Sequence, residues 1–112
     1  MLRGNVVYKG KEDKIKGVVL KSKFFKESNQ KQVSNKILVC IKTDLINLHV
    51  LSRFRGIVTS YGGVLSHAAI YSREFKIPCI AGVVNILKET KSGDEVEMNM
   101  ETGEIKILAH KK

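Results

Sequence analysis

One histidine, His67, stands where a glycine pair, Gly62-Gly63, gives way to a run of helix-compatible residues, Ala68-Ala69-Ile70-Tyr71. Without a Cβ, the two glycines allow positive φ and let the backbone approach a ligand closely. Ser66, just before the run, is a favoured helix N-cap. His67 then falls in the first helical turn, where unpaired N–H groups and the positive end of the helix dipole favour a bound phosphate. A neutral imidazole is a nucleophile toward phosphorus. The field that disfavours imidazolium also stabilises a phosphoryl group once it sits on the ring. Gly62, Gly63, Ser66 and His67 therefore form a candidate phosphate-binding set with His67 as the reacting group. A histidine that merely fills a core would need neither the glycine pair, nor the cap, nor the stop signal at Ile77-Pro78.

The same residues resemble a known family, the phosphohistidine or mobile domain of the phosphoenolpyruvate-utilising enzymes, which include pyruvate phosphate dikinase, phosphoenolpyruvate synthase, Enzyme I of the sugar phosphotransferase system and rifampin-type phosphotransferases. The likeness runs from Gly56-Ile57-Val58-Thr59 through Gly62-Gly63 and Ser66-His67-Ala68-Ala69-Ile70 to Arg73-Glu74, Ile77-Pro78 and Cys79-Ile80-Ala81-Gly82. It extends to Arg3-Gly4 and Gly17-Val18 at one end and to Ser92-Gly93-Asp94-Glu95-Val96 and Thr102-Gly103-Glu104-Ile105 at the other, and is weakest over Phe24 to Lys36. It implies an α/β fold of the three-layer β/β/α swivelling type. It also implies that His67 is the phosphoryl or pyrophosphoryl carrier, with donor and acceptor sites on a nucleotide-binding or phosphoenolpyruvate-binding domain or subunit. Mg2+ with ATP or phosphoenolpyruvate is implied on that partner, with no cofactor and no metal held by this domain. Two positions depart from the pattern: Leu65 replaces a threonine found in several dikinases, and Asn99 stands where the closing strand often has aspartate.

A chain of 112 residues has room for a single domain, 1–112, with a core that needs no metal or disulfide staple. It has neither a glycine-rich nucleotide loop nor room for a barrel, so turnover by the chain alone is not expected. Cys40 and Cys79 lie in apolar surroundings, form no Cys-x-x-Cys pair, and read as small buried hydrophobes. With no signal peptide and no apolar run long enough to span a bilayer, a cytoplasmic protein without a membrane partner is expected. The net charge of +9 raises nucleic acid as a partner, but the lysines are scattered from Lys9 to Lys112 without interleaved aromatics, which argues against it. Such a surface suits an acidic partner domain or nucleotide phosphates.

The elements that must position His67 follow from periodicity. Asn5–Tyr8 and Ile15–Leu20 read as strands around the charged turn Lys9 to Lys14. Ile37–Ile41 reads as a strand buried on both faces, and Thr43 as the cap of a short helix from Asp44 to about Leu51 that carries His49. Ile57–Thr59, a helix from His67 to about Lys76, and Cys79–Gly82 form a βαβ unit, with the helix N-terminus at the carboxyl ends of the strands. On that helix Tyr71 is expected to pack, and Arg73 and Glu74 to serve scaffold or interface. Val96, Met98 and Met100, then Ile105 and Ile107, form a closing hairpin. His110, in the Lys-rich tail, is expected to be exposed. A non-catalytic regulatory or interaction module retaining the fold is the competing reading, and the intact Gly62, Gly63, Ser66 and His67 set counts against it.

Overall fold

Alternation along the strands sorts their buried side chains between two apolar clusters. In the computed structural model, which describes residues 2–21, 34–41, 52–62 and 67–110, with His67 and Ala68 by backbone alone, the order is β1 (Leu2–Arg3), β2 (Asn5–Tyr8), β3 (Lys14–Lys21), β4 (Lys36–Cys40), β5 (Gly56–Thr59), α1 (His67–Phe75), β6 (Cys79–Ala81), α2 (Ile86–Glu89), β7 (Glu95–Asn99) and β8 (Glu104–Ala109). The expected helix from Asp44 to Leu51, with Thr43 and His49, lies outside the described residues.

The strands form one mixed eight-stranded sheet in the order β1-β8-β7-β3-β4-β5-β6-β2. Strands β3 to β6 run parallel, while β7 and β8 continue the sheet antiparallel. The two ends of that order, β1 and β2, are separated in the chain by Gly4 alone. Arg3 pairs with Glu104 on β8 and Asn5 pairs with Ala81 on β6. One nearly continuous segment therefore bridges both margins, and the sheet curls closed.

Inside the curl lies the larger cluster, built from Ile15 and Val19, Ile37 and Val39, Val58, Ile80, Val96, Met98, Met100 and Ile105, with Ile86 of α2. On the other face of the parallel strands, Leu38, Cys40, Ile57, Cys79 and Ala81 alternate with those residues. They pack with Ala69 of α1 and with Val7, Phe54 and Ile77. Two facing parts of a curled sheet with a helix outside one of them give the β/β/α layering. Ile37 to Cys40 are all fully buried, as expected for a strand covered on both faces, whereas Ile41, read as the last residue of that strand, lies beyond β4 and is exposed.

The antiparallel part has one wet face. Its outward positions read Lys16, Glu97 and Lys106 across neighbouring strands, a row of alternating charge. Asn99 holds the β7–β8 turn: its Oδ1 accepts from the N–H groups of Glu101 (3.0 Å) and Thr102 (3.2 Å). An amide oxygen therefore does there what a carboxylate would.

Candidate functional site

The carboxyl ends of β4, β5 and β6 are tied together by backbone hydrogen bonds. Ser60 N–H donates to Cys40 O (3.0 Å), Tyr61 N–H to Ile41 O (3.3 Å), and Val83 N–H to Thr59 O (2.9 Å). Thr59 is fully buried, and its hydroxyl donates to Tyr61 O at 2.9 Å, fixing the turn that leaves β5. The chain then reaches Gly62 at φ +105°, a conformation that glycine adopts and L-residues resist. Gly82, at φ +75°, follows β6 directly beneath: a Cβ there would lie 3.0 Å from the Gly62 carbonyl. Asn5, paired with Ala81, borders the same spot.

Helix α1 begins at His67, the residue the sequence places at its start. No acidic residue occupies its first turn, so the positive end of the dipole is not neutralised locally, while Arg73 in the last turn complements the negative end. Ala69 is fully buried against the sheet, which lets the helix lie close. Ser72, also buried, donates its hydroxyl to Ala69 O at 2.9 Å. The helix stops through Lys76, at φ +58°, with Ile77 N–H reaching back to Ser72 O at 2.9 Å. That six-to-one bond is a Schellman closure with lysine where glycine is usual. Pro78 then starts the approach to β6.

Of the four site residues read from the sequence, Gly62 and the backbone of His67 lie at the same end of the fold, around the carboxyl ends of the parallel strands. Gly63 and Ser66 lie outside the described residues, as does Leu65. Tyr71 is partly buried against the outer cluster, while Arg73 and Glu74 are exposed. Three supporting residues were not read from the sequence as parts of the site: Thr59, Gly82 and Asn5. Thr59 and Gly82 stood within the resemblance, but their contacts depend on strand neighbours that spacing along the chain does not reveal.

Cys40 and Cys79 are buried and form no disulfide. Burial pushes the Cys79 thiol up to about 12, partly offset by a hydrogen bond with Ser72. Cys79 is therefore not placed to act as a thiolate. His110 is 65% exposed, but it is not isolated, because its Nδ1 lies 3.2 Å from Oδ2 of the fully buried Asp94. The Glu95–Ala109 pairing brings the two together across sixteen residues. Asp94 Oδ2 also accepts from Lys91 N–H at 2.8 Å. Among the described residues no group of three His, Cys, Asp or Glu side chains is placed to hold a metal ion, and no helix is long and apolar enough to cross a membrane.

Comparison with known proteins joins this geometry to a lineage. Pyruvate kinase of Geobacillus stearothermophilus is 34% identical over 83 residues, 74% of this chain and 14% of that protein. Phosphoenolpyruvate synthase of Aquifex aeolicus is 39% identical over 79 residues, 70% of this chain and 9% of that protein. The chain thus spans a seventh or less of the length of these relatives. Among solved structures, holo-form aconitase X of Thermococcus kodakaraensis superposes with a TM-score of 0.68 at 18% identity, covering 96% of this chain and 97% of that one. A solution structure of Enzyme I superposes with a TM-score of 0.54 at 23% identity, covering 71% of this chain and 34% of that one. These two likenesses concern the fold. The family described as PEP-utilising enzyme, mobile domain, matches residues 32–103, well over half of the sequence and all of the Gly62 to Gly82 unit, and the chain belongs to that family.

Proposed function

We propose that this domain carries a phosphoryl or pyrophosphoryl group on His67 between a donor site and an acceptor site on partner domains or subunits. The observation that carries the reading is the start of α1 at His67, beside the positive-φ turn at Gly62 and over the carboxyl ends of three parallel strands. A lone pair of the neutral imidazole attacks phosphorus. The N–P bond forms as the P–O bond to the leaving group breaks, and that electron pair departs on oxygen of the nucleotide or of enolpyruvate. In the second half-reaction an acceptor nucleophile takes the group and returns the ring to its neutral state. The N–H groups of the first helical turn stabilise the transferred anion throughout. The domain's contribution is positioning, supplied once at each site.

Magnesium belongs, in this reading, with the partner's ATP or phosphoenolpyruvate, where it neutralises phosphate charge. Membership of a family of mobile domains, and the much greater length of the relatives, support a role alongside other domains. The test is phosphoryl labelling. Mixed with a competent phosphoenolpyruvate synthase and either donor, the chain gains a phosphoryl or pyrophosphoryl mass that is lost in acid and absent in His67→Ala, whose melting temperature stays close to that of the parent. Label that survives acid, or that persists in His67→Ala, rules the carrier role out.

A further inference from the structure

Five large apolar side chains are exposed among the described residues, and four of them collect at one end of the molecule. Ile41 (57% exposed) follows β4, Tyr61 (71%) follows β5, Val84 (79%) follows β6, and Ile70 (46%) sits on α1 one turn beyond His67. The hydrogen bond from Tyr61 N–H to Ile41 O and the seating of Gly62 over Gly82 lay the backbone segments that carry the first three side by side. Positions 67 and 70 share a helix face. Isolated exposed hydrophobics are ordinary, but a contiguous group marks a contact surface.

Charge sharpens the point. The described residues of this rim, Ile41, Ser60 to Gly62 and Gly82 to Asn85, include no charged side chain, in a sequence of which 28% is charged. Just beyond it along the chain Lys88, Glu89 and Lys91 are exposed, a net positive edge. The outward face of β3, β7 and β8, by contrast, is laced with both signs.

We infer that Ile41, Tyr61, Ile70 and Val84 form an apolar collar that seats His67 against a partner protein surface, apolar at its centre and acidic beside it. The inference rests on the carrier reading above. A closed apolar contact excludes water, which would otherwise compete as nucleophile for the phosphoryl group, and it strengthens each electrostatic contact to that group. A second copy of this chain fits poorly as the occupant, since two molecules of net charge +9 repel. An acidic rim meets Lys88 and Lys91, steering the encounter.

The test titrates the full chain against Aquifex aeolicus phosphoenolpyruvate synthase whose own carrier histidine has been substituted, and follows transfer of label to His67. Ile41→Asp and Val84→Asp place a charge where the contact should be dry. Each is expected to raise the half-saturating concentration roughly ten-fold or more with little change in the maximal rate. Leu108→Asp, on the exposed outer face of β8, serves as control and leaves it unchanged. Added salt raises the wild-type value by screening the lysine rim. Collar variants that behave like Leu108→Asp while wild type is labelled overturn the collar and leave the carrier reading standing. A wild-type chain that takes no label from either donor overturns both. Sedimentation showing that the chain self-associates, and that Val84→Asp abolishes the association, assigns the collar to a second copy and overturns the proposed partner.

Discussion

At the scale of single residues, burial separates the groups that do chemistry from those that only fill space. Cys79 is the sharper case. Its folded thiol titrates at about 12 against an ordinary value of 9.0 because the thiolate would be stranded among apolar side chains. Between those values the unfolded chain releases a proton that the folded chain keeps, so stability falls as pH rises above 9 and is insensitive to this group below it. The slope approaches about 1.4 kcal/mol per pH unit. Cys79→Ala lacks that slope, so its deficit relative to wild type, read from urea unfolding midpoints, should narrow by roughly 1 kcal/mol between pH 8 and pH 10. The sequence made the burial of both cysteines legible through their apolar neighbours. It did not reveal the Asp94–His110 pair, because a lysine-rich tail gives no sign that strand register will lay it beside a buried carboxylate.

Elements supply the next level of positioning, and here α1 matters most. Its start was legible because three local signals coincide: a glycine pair, a serine and small residues. Its end was legible only approximately. The sequence points to a stop at Ile77-Pro78, but not to the means, which is a lysine held at φ +58° in the Schellman position. A left-handed conformation costs an L-residue about 1–2 kcal/mol, whereas glycine adopts it freely but loses more entropy on folding. Lys76→Gly should therefore stabilise the domain by about 0.5–1 kcal/mol, seen as a higher urea midpoint with unchanged denaturant slope. The substitution lies at the end of α1 opposite His67, so labelling of His67 should not change. A loss of stability would mean that Lys76 makes a compensating contact that outweighs its backbone strain.

For the whole molecule, the decisive feature is closure, and it was the least legible. The strands themselves show in the alternation of Val96, Met98 and Met100 and in the solid apolar run of Ile37 to Cys40. Yet nothing local says that β1 and β2, either side of Gly4, belong to opposite margins of one sheet. The joint requires glycine for lack of room: a Cβ on Gly4 would collide with the Ala81 carbonyl and crowd Val83 and Ile80. Gly4 N–H is in turn bonded to Gly103 O at 2.9 Å, so the bridging segment is held from both sides. Gly56 makes a useful contrast. A Cβ there would meet Met98 Sδ at 2.8 Å, the flexible end of a side chain that can move aside. Gly4→Ala should cost about 1–3 kcal/mol because a backbone carbonyl in a paired strand cannot yield without shifting β6, whereas Gly56→Ala should cost distinctly less. Because β6 leads directly into Gly82, on which the Gly62 turn rests, Gly4→Ala should also slow labelling of His67 beyond what its unfolded fraction explains. Guanidinium unfolding of both variants, with labelling rates corrected for the folded population, checks the two halves together. Equal costs at the two glycines would mean that the margins of the sheet are loosely joined, and that the carrier end is not held by closure of the sheet behind it.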